Sequence, residues 1–327
     1  MMLMNGGNIL AYSIITKNSY KQLGSIFLET LNSSLQLPYK SFILVDDSDD
    51  ESTVRIVKKW CDEHDKELIV TRSRLYGHHK PTRATARQTA IDIFLENFSE
   101  EWLMFQDDDC ILNDGWWIEA KQYLHNPRVG LIWGLNYDPT PIREQFLKSV
   151  GIDHIKYLKS QFEIRGGTHD ILLRRKAIED IFIPPILHIF EDAFIKHWVE
   201  SKGFKCAILK TGIIHMNPGR DVDLKTLRLM AQWGLTFGFV EPQYKDILYG
   251  LFALLRTTAG CPLTILPYIR SDGVKGIGEG FKRFKAKWFY RLFLFIYSFK
   301  IKPPKNRYEM LKEYSRIAKL RAERSLN

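Results

Sequence analysis

Residues that carry chemistry recur in this sequence at one kind of position, the end of an apolar run. SFILV (41–45) runs into Asp46-Asp47, and WLMFQ (102–106) runs into Asp107-Asp108-Asp109. Two carboxylates two apart, just past a strand, can chelate Mg2+ or Mn2+ and leave coordination positions open for phosphate oxygens. A carboxylate at the other strand end can accept from a nucleobase N–H or a ribose hydroxyl. Arg72, Arg74, Lys80, Arg83 and Arg87 fall between the two acidic clusters. Guanidinium groups bind diphosphate in bidentate fashion. Further on, Glu191-Asp192 offers a general base. His215 closes the run GIIH, where a neutral imidazole makes a good third ligand for a Mn2+-type metal. Each group also has an ordinary structural role open to it: an acidic turn, a helix cap, a solvated basic loop, first-turn acids on a helix dipole, a strand-end histidine. Their order along the chain is more specific than any one of them.

The elements around these groups alternate. Strands are expected at 9–15, 41–45, 67–71, 102–106 and 129–135. Helices are expected at 20–32, from the S-x-x-E capping box at Ser48–Glu51 to about residue 64, and at 82–97. Strands alternating with helices of this length predict a parallel α/β sheet, which binds ligands beyond the carboxyl ends of its strands. After residue 136 the pattern loosens. A helix is expected at 143–159, a glycine turn or close backbone approach at Gly166-Gly167, and a strand-to-helix step at 171–178. A helix at 191–203 and strands at 204–209 and 212–215 follow, then a helical, aromatic and increasingly basic region from 221 onward.

Composition bounds the classes. The chain has 327 residues, 45% hydrophobic and 26% charged, which fits a globular chain of roughly two domains with a sizeable core. Cys61, Cys110, Cys206 and Cys261 are far apart with no C-x-x-C, so they are expected to be reduced, in a cytosolic chain without a zinc site of the usual spacing. The opening MMLMNGGNIL lacks the pattern of a signal peptide. The longest apolar stretches, near 247–269, are interrupted by Arg256, Pro262 and Pro267, which argues against an ordinary transmembrane helix. The net charge of +9 is unevenly spread: residues 273–327 hold 15 Lys and Arg against 4 Asp and Glu, and residues 1–272 hold 32 against 34.

Taken in order, these segments resemble the family 2 inverting glycosyltransferases of the GT-A fold. The opening strand and turn SIITKN (13–18), VDDSDDES (45–52), ARQTAID (86–92) and Gln106-Asp107-Asp108-Asp109 carry the first half of the resemblance. GGTHDILLRRKAI (166–178), FEDAFIKHWVESKGFK (190–205) and IIHMNPG (213–219) carry the second. Gln88, Ala90 and Gln106 depart from the family's usual residues, and IFIPPILHIFED spaces the acidic pair differently.

The resemblance implies a GT-A fold: Rossmann-like, with a mainly parallel central sheet flanked by helices, over residues 1–219. A helical C-terminal extension over 220–327 completes the chain. The donor it implies is a nucleoside diphosphate sugar, bound by Asp46, Asp47, Arg83, Arg87, Asp107 and Asp108. Mn2+ or Mg2+ would be held by Asp107 and Asp109 with His215. Asp192 would be the general base, with Glu191 the second choice. Trp116, Trp117, His169 and Trp198 are candidates for acceptor contacts, although core packing suits most of them better.

The tail adds a location. In FKRFKAKWFYRLFLFIYSF (281–299), Phe281, Phe284, Trp288, Leu292, Phe295 and Phe299 form one helical stripe with Lys282, Arg283, Lys285, Lys287 and Arg291 off it. This pattern fits an interfacial helix on an anionic, cytosolic membrane face, with the helical segment 244–271, broken by Gly and Pro, as a second membrane-surface element; packing on the catalytic domain is the alternative. Clustering of the aromatics on one face argues against nucleic acid. The function expected is metal-dependent, inverting transfer to a hydroxyl of a glycan or lipid-linked acceptor. Polyprenyl-phosphate sugar synthesis is the same-fold alternative, and a non-catalytic basic membrane- or nucleic-acid-binding protein the alternative of another class. A sugar-nucleotide nucleotidyltransferase is disfavoured because TKNSYKQ stands where its Gly-rich loop would be.

Overall fold

The computed structural model describes residues 9–139, 142–149, 151–216, 223–240, 247–302 and 304–326. The chain forms two compact units, one of residues 1–139, 166–217 and 311–327, the other of 140–165 and 218–310. Two stretches therefore cross the 219/220 boundary expected from sequence, and that junction itself lies outside the described residues.

The first unit is built on one sheet. Its strands are β1 (Leu10–Thr16), β2 (Tyr39–Asp46), β3 (Glu67–Thr71), β4 (Trp102–Gln106), β5 (Cys110–Leu112), β6 (Val129–Tyr137), β7 (Asp170–Arg174) and β8 (Lys205–His215), in the order β3-β2-β1-β4-β7-β6-β8-β5. β1, β2, β3 and β4 are mutually parallel, as are β6 and β8. β7 runs antiparallel to both its neighbours, and short β5 antiparallel to β8. β1 and β2 are buried on both faces, which is why they read as continuous apolar runs in the sequence. All of the parallel strands end at one edge of the sheet, and antiparallel β7 begins there. The groups after β2 and β4, the residues before β7 and the end of β8 are brought to that edge by topology alone.

Local chemistry corrects several boundaries. The expected capping box at Ser48–Glu51 does not form: the helix Ser52–Glu63 has no side-chain cap from Glu51. Ser48 Oγ instead accepts from Asn18 N at 2.6 Å and bonds to Asp46. A capping box does open the helix Arg83–Asn97, through Thr82 and Thr85. The expected helix 20–32 is two helices, Ser19–Leu23 and Ser25–Ser33, parted at Gly24. The two expected strands 204–209 and 212–215 are one, β8. β5 is an addition to the expected strands, three residues being too few for a periodic signal.

The second unit is helical. Its helices are Ile142–Ser149, His154–Arg165, Leu224–Thr236, Ile247–Ala259, Cys261–Asp272 and Lys275–Ser298. The single helix expected at 143–159 is thus two. Ala231, Leu235, Val240 and Leu294 form its core, against which Phe295 packs. Much of the aromatic stripe expected to face lipid is consumed here: Phe284, Trp288, Leu292 and Phe295 are half-buried, and Phe281 and Phe299 at its two ends remain exposed. The final helix, Arg307–Leu326, belongs to the first unit from residue 311, where Ser315 Oγ accepts from Phe182 N at 3.2 Å.

Candidate functional site

The site grows from the turn after β4. Gln106 is fully buried and its side chain staples that turn from inside. Its amide donates to Cys110 O at 2.7 Å, Ser33 Oγ at 3.1 Å and Thr30 O at 3.2 Å, and its Oε1 accepts from Tyr12 OH at 3.0 Å. This explains a polar residue at a strand position where an apolar one is usual. Gln106→Leu is expected to remove these bonds from the Tyr12 hydroxyl and the Cys110 carbonyl, while Ser33 and Thr30 keep each other, and to destabilise the first unit by about 2–3 kcal/mol, read by chemical denaturation.

Outside the staple, the three aspartates diverge. The Asp107 backbone N–H donates to His169 O at 3.1 Å, joining the turn to the start of β7. The Asp107 carboxylate bonds to the Arg87 guanidinium. Burial pushes the Asp107 carboxyl up, but Arg87, with His169 and His215, outweighs it and holds it below the usual carboxylate range. Asp108 accepts from Ser19 Oγ. Asp109 is buried, with Oδ1 3.3 Å from His215 Nε2, while the other ring nitrogen of His215 lies 3.4 Å from Asn136 Nδ2.

Asp109, Cys110 and His215 bring one ligand atom each within 4.8 Å of one another. Burial, reinforced by Asp107 and Asp109, drives the Cys110 thiol well above its ordinary value, so it stays protonated and is a poor ligand. Asp109 and His215 remain, a hard oxygen and an imidazole nitrogen, a donor pair that suits Mn2+ or Mg2+. Asp107 is not in this group; the structure directs it to Arg87.

Arg87 is 1% exposed, on the helix Arg83–Asn97. Beyond Asp107 it donates to Thr168 Oγ1 at 2.8 Å and lies over the Phe105 ring, while Nε and Nη1 find no partner. One turn earlier Arg83 is 63% exposed at its side chain, 3.7 Å from Glu191 Oε1. Glu191, then Asp107, Asp192 and Asp108, raise its pKa.

Glu191 opens the helix Glu191–Ser201 and is 2% exposed, with Oε2 unpartnered. Burial, only partly opposed by Arg83, pushes its carboxyl up to about 7. Neighbouring Asp192 is half-buried, and its Oδ1 accepts from Ala193 N at 2.7 Å. Gly166, at φ +69°, is the close approach expected there: a Cβ would stand 2.9 Å from Asp192 O.

Because the folded pKa of Glu191 lies above its ordinary value of 4.5, its stabilising contribution is full below about pH 4.5 and is lost as pH rises through about 7. Glu191→Gln should therefore flatten that part of the stability profile. The Tm advantage of the variant over the parent should widen from acid to mildly alkaline pH; a gap independent of pH would refute the buried acid.

Gln88 positions the segment leading to Glu191, the second departure from the family pattern. Its Oε1 accepts from Ile183 N at 2.8 Å, and its amide donates to Ile181 O at 3.2 Å and Asp92 Oδ1 at 2.7 Å.

At the end of β2, Asp46 is 6% exposed and accepts from Thr16 Oγ1 at 2.6 Å and from Ser48. Asp47 accepts from Ser73 N at 3.0 Å and Ser73 Oγ at 2.5 Å, fastening the loop after β3. Arg74 pairs with Glu96 at 2.6 Å, and Arg72 donates to Ser48 O, so neither shares the acidic turn with Arg83 and Arg87.

The aromatic acceptor candidates fare differently. Trp116 is fully buried and donates to Asp170 Oδ2 at 2.7 Å, which corrects its placement as an acceptor contact: a ring sealed in the core presents no face to a sugar. Trp198 is likewise buried, and Trp117 packs half-buried against the core. His169 is 8% exposed, with Nε2 accepting from Trp133 Nε1 at 3.2 Å and Nδ1 2.6 Å from Asp170 Oδ1. Thr168, Asn136 and Ser19 escape a reading of the sequence, since a lone hydroxyl or amide carries no spacing signal.

An acidic turn beside a buried arginine, a carboxylate–imidazole pair and a buried carboxyl thus stand on a mostly parallel sheet of GT-A type. Residues 13–182, just over half of the chain, match glycosyl transferase family 2, and the chain belongs to that family; it is a glycosyltransferase. Among solved structures, the mannosyltransferase PcManGT from Pyrobaculum calidifontis, in complex with GDP-Man and Mn2+, shares the fold. It is 14% identical at a TM-score of 0.50, with 89% of this chain and 87% of that one covered. TarS of S. aureus is 17% identical over 88% of this chain and 55% of that one, at a TM-score of 0.49. Glucosyl-3-phosphoglycerate synthase from Mycobacterium tuberculosis is 12% identical over 70% and 79%, at 0.46. No curated protein matches the sequence.

Proposed function

We propose that the protein is a metal-dependent, inverting glycosyltransferase. In this reading it moves a sugar from a nucleoside diphosphate sugar to a hydroxyl of a glycan or lipid-linked acceptor, peripherally at the cytosolic face of a membrane. The observation that carries the reading is the meeting of Asp107, Asp109, Arg87 and His215 at one sheet edge, with Arg83 reaching Glu191 beside Asp192. A nucleotide sugar with Mn2+ is also what the mannosyltransferase of like fold holds.

Asp109 and His215 are the residues that would hold the divalent ion, with Asp107 beside them; the ion supplies neutralisation of the charge that builds on the departing diphosphate. The remaining work falls to the chain. Arg83, drawn to Glu191, presents its cationic group to the diphosphate, and Arg87, locked between Asp107 and Thr168, assists from beneath by fixing the Asp107 carboxylate. Asp46 and Asp47 shape the nucleoside end by fixing the turns after β2 and β3.

Asp192 accepts the proton of the acceptor hydroxyl. The hydroxyl oxygen bonds to the anomeric carbon as the bond to the diphosphate oxygen breaks on the opposite face, and configuration inverts. Asp192 is preferred to Glu191 as base because a base must touch the acceptor, and Glu191 is enclosed. Polyprenyl-phosphate acceptors need no strong base, so activity surviving Asp192→Asn would favour that alternative.

The experiment is a thermal-shift panel of nucleoside diphosphate sugars with and without Mn2+. The donor class should raise Tm by mass action, and more so with the ion. A panel without any shift would remove the reading.

A further inference from the structure

The second unit exposes an apolar face that its own packing does not cover. The helices Ile247–Ala259 and Cys261–Asp272 are separated by Gly260 alone, and Pro262 sits in the first turn of the second, where proline is tolerated. The helical run is thus parted at Gly260, just before this proline, as the sequence leads one to expect, while Pro267 lies within the second helix. Gly250–Arg270 is long and apolar enough to cross a bilayer by length and composition, with a mean hydropathy of 1.2, yet only 11% of it is buried.

Leu251, Phe252 and Leu255 on the first of these helices and Leu263 and Leu266 on the second follow helical spacing and are exposed, Leu255 by 68%. Val274, at the turn into Lys275–Ser298, is 83% exposed, and Ile277 and Phe281 continue the apolar surface onto that helix.

The inner side of the pair is tightly closed. A Cβ at Gly276 would stand 1.9 Å from Tyr268 O, and one at Gly280 2.8 Å from Ile265 Cα, so the long helix approaches Cys261–Asp272 backbone to backbone. Trp288 Nε1 donates to Thr258 Oγ1 at 3.1 Å and ties the same helix to Ile247–Ala259. With Ile265 turned against Gly280 of the long helix, Leu263 and Leu266 on the same helix as Ile265 are held outward by helical period.

Charge identifies what covers this face. Residues 247–298 hold eight Lys and Arg against two Asp and Glu. Lys275, Lys282 and Lys285 are exposed. Burial pushes the Lys287 ammonium below its usual value, and Arg291 and Arg256 push it further in the same direction, so cations from two helices converge. A broad apolar face bordered by clustered cations is complementary to acyl chains beneath anionic headgroups. Spanning is disfavoured, because Arg256 lies inside the apolar stretch and the packed partner helix carries six basic residues.

We propose that Ile247–Ala259 and Cys261–Asp272 lie in the plane of an anionic bilayer surface, with Leu251, Phe252, Leu255, Leu263 and Leu266 among the acyl chains and Arg256, Lys282, Lys285 and Lys287 at the lipid phosphates. This makes the helices before residues 281–299, rather than the aromatic stripe itself, the principal membrane contact. It extends the transferase reading by placing the enzyme where a lipid-linked acceptor resides, yet its test is independent of catalysis.

The test is sedimentation of the full chain with phosphatidylcholine vesicles containing phosphatidylglycerol, against phosphatidylcholine alone. Binding should be at least about tenfold stronger to the anionic vesicles and weaken with added salt. Leu255→Glu/Leu263→Glu should lower it by about tenfold or more. A tryptophan placed by Leu255→Trp should be quenched by brominated lipid, which reads insertion without relying on the double variant. Equal sedimentation of the double variant, an unquenched tryptophan, or equal binding to neutral vesicles would each overturn the proposal. Turnover of the double variant on a water-soluble acceptor should match the parent, so a catalytic failure and a membrane failure are separately visible.

Discussion

Replacing Asp109 by alanine is expected to lower metal-stimulated turnover by about 100-fold or more, the scale set by a metal's contribution of several kcal/mol to transition-state stabilisation. The expectation rests on Asp109 being both buried and 3.3 Å from His215, at the end of a turn that Gln106 holds rigid. The fold should survive, because the strand-end contact of this residue is made by its backbone: Met216 N donates to Asp109 O at 2.9 Å, and truncating the side chain leaves that bond.

His215→Ala should act in the same direction and, combined with Asp109→Ala, add little, since the two act as one unit. The measurement is initial rate against Mn2+ concentration with the donor saturating. A variant whose metal response matches the parent would remove the assignment of Asp109, and turnover equally fast in chelator for parent and variant would remove metal dependence altogether.

The second large effect is at the acidic pair, where two adjacent residues should fail in different ways. Asp192→Asn is expected to reduce transfer to a hydroxyl acceptor by about 10²–10⁴-fold, the usual contribution of a positioned base, while leaving donor affinity near the parent's. Glu191→Gln is expected to act on the donor instead. Arg83, 3.7 Å from Glu191 Oε1, loses the charge that restrains it, so KM for the nucleotide sugar should rise more than kcat falls.

The pH profiles separate the two roles further. Burial holds the Glu191 carboxyl near pH 7, so the donor KM of the parent should vary across neutrality, and Glu191→Gln should abolish that variation. A large loss of donor affinity in Asp192→Asn, or a pure loss of kcat in Glu191→Gln, would exchange the roles of the two residues.

Much of this arrangement is legible in the order of the residues. The apolar runs buried on both faces, the acidic pairs that end two of them and the spacing of helices between strands specify a mostly parallel sheet with its ligand edge. They do so because strand ends and helix starts are local signals and parallel strands leave little choice of edge. The same reasoning puts Arg83 and Arg87 on one helix, one turn apart, with the capping residue Thr82 just before them.

The features that escape such reading are either too short or too distant. β5 has three residues and no period. The capping box at Ser48 is a plausible local pattern defeated by a tertiary partner, since Asp46 and Asn18 take the hydroxyl. Trp116 has the ring of a sugar contact, but the core closes on it.

The sequence by itself determined the family, the sheet and the set of charged residues that meet at its edge, because periodicity, turn chemistry and ordered motifs are properties of neighbouring positions. Only the tertiary structure decided what each charge faces. Asp107 turns to Arg87 while Asp109 turns to His215, and Glu191 is enclosed while Asp192 is not. It also decided that part of the aromatic stripe of the helix Lys275–Ser298 is spent on packing, leaving Leu251, Leu255, Leu263 and Leu266 outside. Burial and pairing depend on residues far apart in the chain, and these set both pKa and accessibility, so the chemistry of a side chain is settled only when its partners across the fold are in place.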